Sequence, residues 1–160
     1  MGVTYSDLYA AIGVHSGLAC GVAQDLPSAL AVMWQGGPPA GVPRNGSRRS
    51  VPTIVFHSDL DTTVSPVNGD QVIAQSKAGA DLRTVVSRGQ AEGGTTYTRT
   101  VQADESVCPI LEQWVLHGTG HAWLGGSPAG SYTDPRGPDA SREMLRFFLK
   151  QKNTALSPLS

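Results

Sequence analysis

The sequence predicts an α/β domain with a mainly parallel sheet, flanking helices and one β-hairpin insert. Three observations carry this reading. Val51–His57 (VPTIVFH) is a continuous β-branched, apolar run, the pattern of a strand covered on both faces. Strand-length apolar runs alternate with helix-length ones, the order of a parallel sheet crossed by helices. Between Arg83 and His117 the alternation stops, and strand-like segments follow one another without a helix.

Taken in order, Ala10–Ser16 (AAIGVHS) is a short apolar run closed by Gly17 and reads as a buried strand. Ala23–Met33 carries its apolar residues on one helical side, and Gly36-Gly37-Pro38-Pro39 stops it. Pro38–Pro52 is a loop. Its Ser47-Arg48-Arg49-Ser50 stretch reads as solvated rather than as a phosphate patch, and the Asn45-Gly46-Ser47 sequon reads as a chance match. After the Val51–His57 strand, Ser58–Pro66 is a polar turn and Asn68–Ala78 a helix ended by Gly79. Arg83–Ser87 is a short strand, Gly89–Gly94 a turn, and Thr95–Gln102 (TTYTRTVQ) a strand with one wet face. Leu111–His117 (LEQWVLH) is a further strand, antiparallel to it. Gly118–Gly137 is a long Gly/Pro/Ser loop. Asp139–Gln151 is a helix capped by Asp139, with Met144, Leu145, Phe147, Phe148 and Leu149 as its apolar face. Residues 1–152 form one domain and 153–160 a tail, with no internal repeat.

Composition narrows the function. Twelve Lys and Arg against thirteen Asp and Glu leave a formal net charge of -1, so no phosphate-tracking surface is expected and nucleic acid is excluded as a main partner. No apolar run approaches the roughly 20 residues of a membrane span. Nineteen Gly and eleven Pro lie between apolar runs rather than in tracts, which describes a loop-rich globular domain rather than a disordered one. Cys20 and Cys108 allow one disulfide at most, and neither a C-x-x-C pair nor a zinc ligand set surrounds them. No cofactor motif is present.

Two polar clusters follow two of the predicted strands: His57-Ser58-Asp59-Leu60-Asp61-Thr62-Thr63-Val64, and His117-Gly118-Thr119-Gly120-His121-Ala122-Trp123. Functional groups in open α/β sheets gather at the carboxyl ends of strands. An acid followed about sixty residues later by a histidine fits the later part of a Ser…Asp/Glu…His chain order. In such a set the acid orients and stabilises the imidazole, which moves the nucleophile's proton. Blander readings stand beside this one. Asp61 also suits a turn cap, and His121 a satisfied loop histidine. His57, Asp59, Asp61, His117 and His121 include metal-ligand types, but Gly118 and Gly120 argue against the helix that an i,i+4 zinc pair uses, and no third ligand is evident. Trp114 suits the core, and Trp123, in the Gly-rich loop, suits a substrate cleft.

The segments AAIGVHSGL, VPTIVFHSDLDTTVSPVNGDQVI and WVLHGTGHAWLGGSPAGSYTDPRGPDASREMLRFFL together resemble the second half of the poly(3-hydroxybutyrate) depolymerase family of α/β-hydrolase esterases, which includes feruloyl and related esterases. The resemblance runs from about Tyr5 to Leu149. It implies a partial α/β-hydrolase fold, with Asp61 as acid and His121 as base of a Ser-His-Asp mechanism. Asp59 is set aside because the family's acid stands just ahead of the Thr62-Thr63-Val64 step. The implied substrate is a small-molecule or polymer ester, of the polyhydroxyalkanoate kind or related. Extracellular location is implied by the resemblance alone.

The departure is the nucleophile. The family's G-x-S-x-G elbow lies upstream of the segment resembling Tyr5–Tyr9, and no G-x-S-x-G occurs in these residues. Ser16, in Gly13-Val14-His15-Ser16-Gly17, has Val14 and Leu18 at the flanking positions and fails the spacing. The expectation is a truncated esterase that keeps Asp61 and His121, lacks the nucleophile serine and is inactive alone. A non-catalytic ester-binding module and a structural remnant are the alternatives. A further expectation is a homo-oligomer formed through an uncovered sheet edge near Ala10–Ser16.

Overall fold

The computed structural model describes residues 4–38, 51–77, 81–105 and 108–151. The chain runs β1 (Ile12–His15), α1 (Leu26–Gln35), β2 (Thr53–Ser58), α2 (Val67–Lys77), β3 (Arg83–Gln90), β4 (Thr96–Ala103), β5 (Pro109–Leu116), β6 (Trp123–Leu124), β7 (Thr133–Asp134) and α3 (Ala140–Lys150). Five strands form one mixed sheet in the order β1-β2-β5-β4-β3. β1, β2 and β5 are parallel; β4 runs antiparallel to β5, and β3 to β4. The hairpin β3–β4 therefore widens the sheet beyond β5. The α/β architecture with flanking helices and a hairpin insert, expected from the sequence, is present.

β2 is the central buried strand. Every residue from Thr53 to Ser58 is buried, as its uninterrupted apolar pattern requires. Alternate side chains serve opposite layers. Ile54 and Phe56 join Trp114, Leu116, Met144 and Phe147 under α3. Val55 joins Leu111, Val72 and Ile73 under α2. An aromatic row crosses the α3 face: His15 stacks on Phe56, Phe56 on Trp114, and Tyr97 tilts against Trp114. β1 passes close beneath α3 at Gly13, where a Cβ would stand 2.8 Å from Met144 Sδ.

Glu112 carries a carboxylate into that same face. It is fully buried. Its Oε1 accepts from Arg99 Nε at 2.9 Å, from Trp114 Nε1 at 2.8 Å and from Arg146 of α3. Arg99 also stacks over the Trp114 ring. The ion network ties α3 to the β4–β5 pair.

Several boundaries differ from expectation, each for a local reason. β1 is only partly buried, because among the described residues it is an edge strand with one neighbour. α1 begins at Leu26, since the Asp25 side chain accepts from Ser28 N–H and fixes the helix start there, with a proline in the first turn. β3 continues through Gly89 and Gln90, which pair with Tyr97 and Thr96. The Gly118–Gly137 loop contains the short parallel pair β6–β7. On α3, Met144 and Phe147 are buried, whereas Leu145 and Leu149 are exposed. Asp139 caps α3 by accepting from Arg142 N–H. Ser47–Ser50 and Asn45 lie outside the described residues. Cys20 and Cys108 are free thiols. No described helix is long and apolar enough to cross a membrane.

Candidate active site

The two polar clusters meet at the carboxyl ends of β2 and β5. Asp61 sits in the turn after β2, with its side chain fully buried. Its Oδ1 accepts from Thr63 N–H at 3.0 Å and from Val64 N–H at 2.8 Å. This is an Asx-type turn that closes on its own side chain. Its Oδ2 meets His121 Nδ1 at 2.8 Å. Burial pushes the Asp61 carboxyl up. The Val64 N–H, His121, Ser16 and the Thr63 N–H outweigh it and hold the group below the usual carboxylate range. Asp61 is thus a fixed anion.

A carboxylate only accepts, so Nδ1 of His121 carries the proton and Nε2 is the basic nitrogen. The His121 side chain is 38% exposed. It lines a cleft of about 320 Å³ with His15, Ser16, Ala122, Trp123 and Tyr132. The arrangement is a base held by a buried anion at the wall of a cleft. It suits proton transfer to and from a hydroxyl group.

Three further side chains fix this pair. His57, two residues back from Asp59 on β2, is buried and donates from Nε2 to Val64 O at 2.8 Å. Its Nε2 also stands 3.6 Å from Asp61 Oδ2. Gly69 of α2 packs on this ring, where a Cβ would lie 2.9 Å from Nδ1. Thr119 donates its hydroxyl to Ser58 Oγ at 2.8 Å, which joins the histidine loop to the end of β2. His15 stacks on Trp123 at 4.7 Å and accepts Leu124 N–H at Nε2, at 3.2 Å. Burial, then the neighbouring His57 and His121, lower the His15 pKa from 6.5 to about 4, against a weaker opposing pull from Asp61. His15 is a neutral acceptor.

Trp123 is 40% exposed, lines the cleft and donates to Ser141 Oγ at 3.2 Å. Trp114 belongs to the core. Ser16 follows β1 with a left-handed φ of 47°, unusual outside glycine. Its hydroxyl is buried near the Asp61 carboxylate without completing a hydrogen bond. Asp59 is not the partner of His121. It accepts from His117 Nδ1 at 2.9 Å and from Gly118 N–H at 2.8 Å. The two histidines turn to different aspartates. Among the described residues no three His, Cys, Asp or Glu side chains converge as a metal ligand set. Sequence reasoning assigned no role to His15, Thr119 or Tyr132. The available signal was His15's place at a strand's carboxyl end.

A family model described as Esterase PHB depolymerase matches residues 1–99. The chain belongs to this esterase family. Within it, Asp61 falls inside the matched residues and His121 beyond them. Among solved structures, the acetyl xylan esterase from Aspergillus awamori superposes with a TM-score of 0.57 at 21% identity. The match covers 94% of this chain and 54% of that one. At that identity the likeness is one of fold, and this esterase-family chain spans about half the length of the solved relative. No curated protein matches the sequence.

Proposed function

We propose that this chain supplies the acid and the base of a carboxylic-ester hydrolase acting by a Ser-His-Asp mechanism. Polyhydroxyalkanoate or related esters are the substrate class. The observation that carries the reading is the 2.8 Å bond from His121 Nδ1 to the buried Asp61, in a chain of the PHB depolymerase esterase family. In the proposed reaction a serine hydroxyl attacks the ester carbonyl. His121 Nε2 takes the hydroxyl proton and returns it to the leaving alcohol. Asp61 holds the ring's tautomer and stabilises the imidazolium. Trp123 forms a wall of the acyl cleft.

The nucleophile is proposed to come from a segment outside these 160 residues, because none of their serines lies in G-x-S-x-G. Without nucleophile and oxyanion donors, general-base assistance alone is worth about 10²–10⁴. The 160 residues alone are therefore proposed to be inactive. The experiment is hydrolysis of p-nitrophenyl butyrate by the chain, alone and with a family segment bearing the elbow supplied in trans. Background turnover alone, restored turnover with the segment, and its loss in His121→Ala support the reading. Turnover by the chain alone that disappears in Ser16→Ala makes Ser16 the nucleophile and refutes it. Binding of ester without turnover in either mixture would instead mark a non-catalytic binding module, and neither binding nor turnover a structural remnant.

We also propose that the chain self-associates through β1. That strand pairs only with β2 among the described residues, and unpaired strand edges template pairing with another chain. Sedimentation of a single monomeric species at micromolar concentration would refute this.

A further inference from the structure

A second hydrogen-bonded chain of side chains lies away from the Asp61–His121 pair. His117 follows β5 and Thr98 lies in β4. Thr98 pairs in register with Val115, two residues before His117, so both face the α2 side of the sheet. The Thr98 hydroxyl stands 2.9 Å from His117 Nε2. His117 Nδ1 stands 2.9 Å from Asp59 Oδ2, and Asp59 Oδ1 accepts Gly118 N–H at 2.8 Å. The proton positions follow from chemistry. A carboxylate only accepts, so His117 donates from Nδ1. Its Nε2 is then the acceptor, and the Thr98 hydroxyl is the donor. This is the tautomer and order of a hydroxyl–imidazole–carboxylate relay. Both His117 and Asp59 are more than a third exposed. Thr98 and His117 line a cleft of about 430 Å³ with Arg88, Gly89, Thr96 and Tyr97. Arg88 pairs with Thr98 across the hairpin, so its side chain stands on the same face of the sheet and lines the same cleft.

We propose that Thr98, His117 and Asp59 form a second nucleophilic site, at which Thr98 is acylated by short-chain esters. The Thr98 oxygen attacks the ester carbonyl carbon. The new bond joins Oγ1 to the acyl carbon, and the bond to the leaving alcohol breaks. The hydroxyl proton passes to His117 Nε2 and then to the departing alkoxide, which leaves as the alcohol. Asp59 stabilises the transient imidazolium. Arg88 faces the charge that develops on the carbonyl oxygen. The acyl group then stays on Thr98 as an ester, so the step is a single acylation and not turnover. The site shares no residue with the Asp61–His121 pair, so it stands whether or not that pair catalyses.

The test is p-nitrophenyl acetate added to the 160-residue chain, with the acetylated residue mapped by fragmentation mass spectrometry. The tryptic peptide Gly89–Arg99 contains Thr95, Thr96, Tyr97 and Thr98, and its fragment ions distinguish acetyl at position 98 from acetyl at the other three. Acetyl at position 98 is expected in the wild type and in Thr98→Ser, whose serine hydroxyl takes the place of the threonine's. His117→Gln and Asp59→Asn are expected to slow that acetylation by roughly a hundredfold, the lower end of general-base effects. If His117→Gln fails to fold, Asp59→Asn carries the comparison. The label is expected to persist in His121→Ala. Acetyl found only on other residues, an unchanged rate at Thr98 in the His117 and Asp59 variants, or loss of the label in His121→Ala would each overturn the proposal.

Discussion

Acidification from pH 7 to pH 5 is expected to destabilise this domain through His15 before any carboxylate is involved. His15 is held neutral, with its pKa lowered from 6.5 to about 4 by burial and by its histidine neighbours. The unfolded chain therefore binds more protons than the folded one between those two values. Stability rises with pH across that window and falls as pH drops through it. Integrating the two titrations gives a loss of about 2 kcal/mol between pH 7 and pH 5, approaching about 3 kcal/mol near pH 4. Structure supplies the reason. Protonated Nε2 no longer accepts Leu124 N–H, and the charge is trapped between Phe56 and Trp123. The assay is urea unfolding at both pH values for the wild type and for His15→Gln, which keeps an acceptor but does not titrate. All other groups are common to both proteins, so the difference in pH slope isolates His15. The slope difference is expected to be about 2 kcal/mol. Equal slopes in the two proteins would refute the reasoning.

Three other perturbations have outcomes fixed by the structure. Glu112→Gln removes the one anion that Arg99, Arg146 and Trp114 share, and a cost of about 3 kcal/mol is expected in urea unfolding; a cost below 1 kcal/mol would show the arginines relax to solvent. Gly69→Ala gains about 1 kcal/mol of helix propensity, but its Cβ would lie 2.9 Å from the confined His57 ring. Net destabilisation by about 1 kcal/mol is therefore expected in thermal melts, where a raised Tm would contradict this packing. Gly125→Ala adds a Cβ at φ 80°, 2.6 Å from the Asp139 Cα at the start of α3, and about 2 kcal/mol of loss is expected from backbone strain, with hydrogen exchange rising in the His121 loop and at the first turn of α3 together. Exchange unchanged in both segments would mean that the loop and α3 are not coupled.

The fold is legible wherever burial is two-sided or the helical stripe is complete. Thr53–Ser58 announces itself because both faces are apolar, and α2 falls within a residue of its expected limits. Errors arise where a local hydrogen bond or a distant ring overrides the pattern. Ala23 shares the apolar periodicity of α1, yet the Asp25–Ser28 cap starts the helix after it. Gly89 reads as a turn residue. In the fold the Tyr97 ring fills the space above it, where a Cβ would meet the phenol, so strand pairing continues. Leu145 and Leu149 widen the apolar stripe of α3 beyond the side that meets the sheet.

The site poses a harder problem, because the sequence contains two aspartates and two histidines in nearly the same spacing. Asp59 precedes His117 by 58 residues, and Asp61 precedes His121 by 60. Residue type and order do not separate the pairs; burial does. The Asp61 side chain is wholly buried, whereas that of Asp59 is 38% exposed. Coulomb attraction to an imidazolium grows as the local dielectric falls. The same 2.8–2.9 Å contact therefore holds a developing charge more strongly at His121 than at His117. Two hydrogen bonds from Thr63 and Val64 keep the buried carboxylate charged despite its desolvation. In the proposed reaction burial would strengthen that pair, and the Asx turn keeps the burial compatible with ionisation. The exposed pair depends on solvent-screened contacts, which is why its acylation is expected to be slow and to show best with an activated ester.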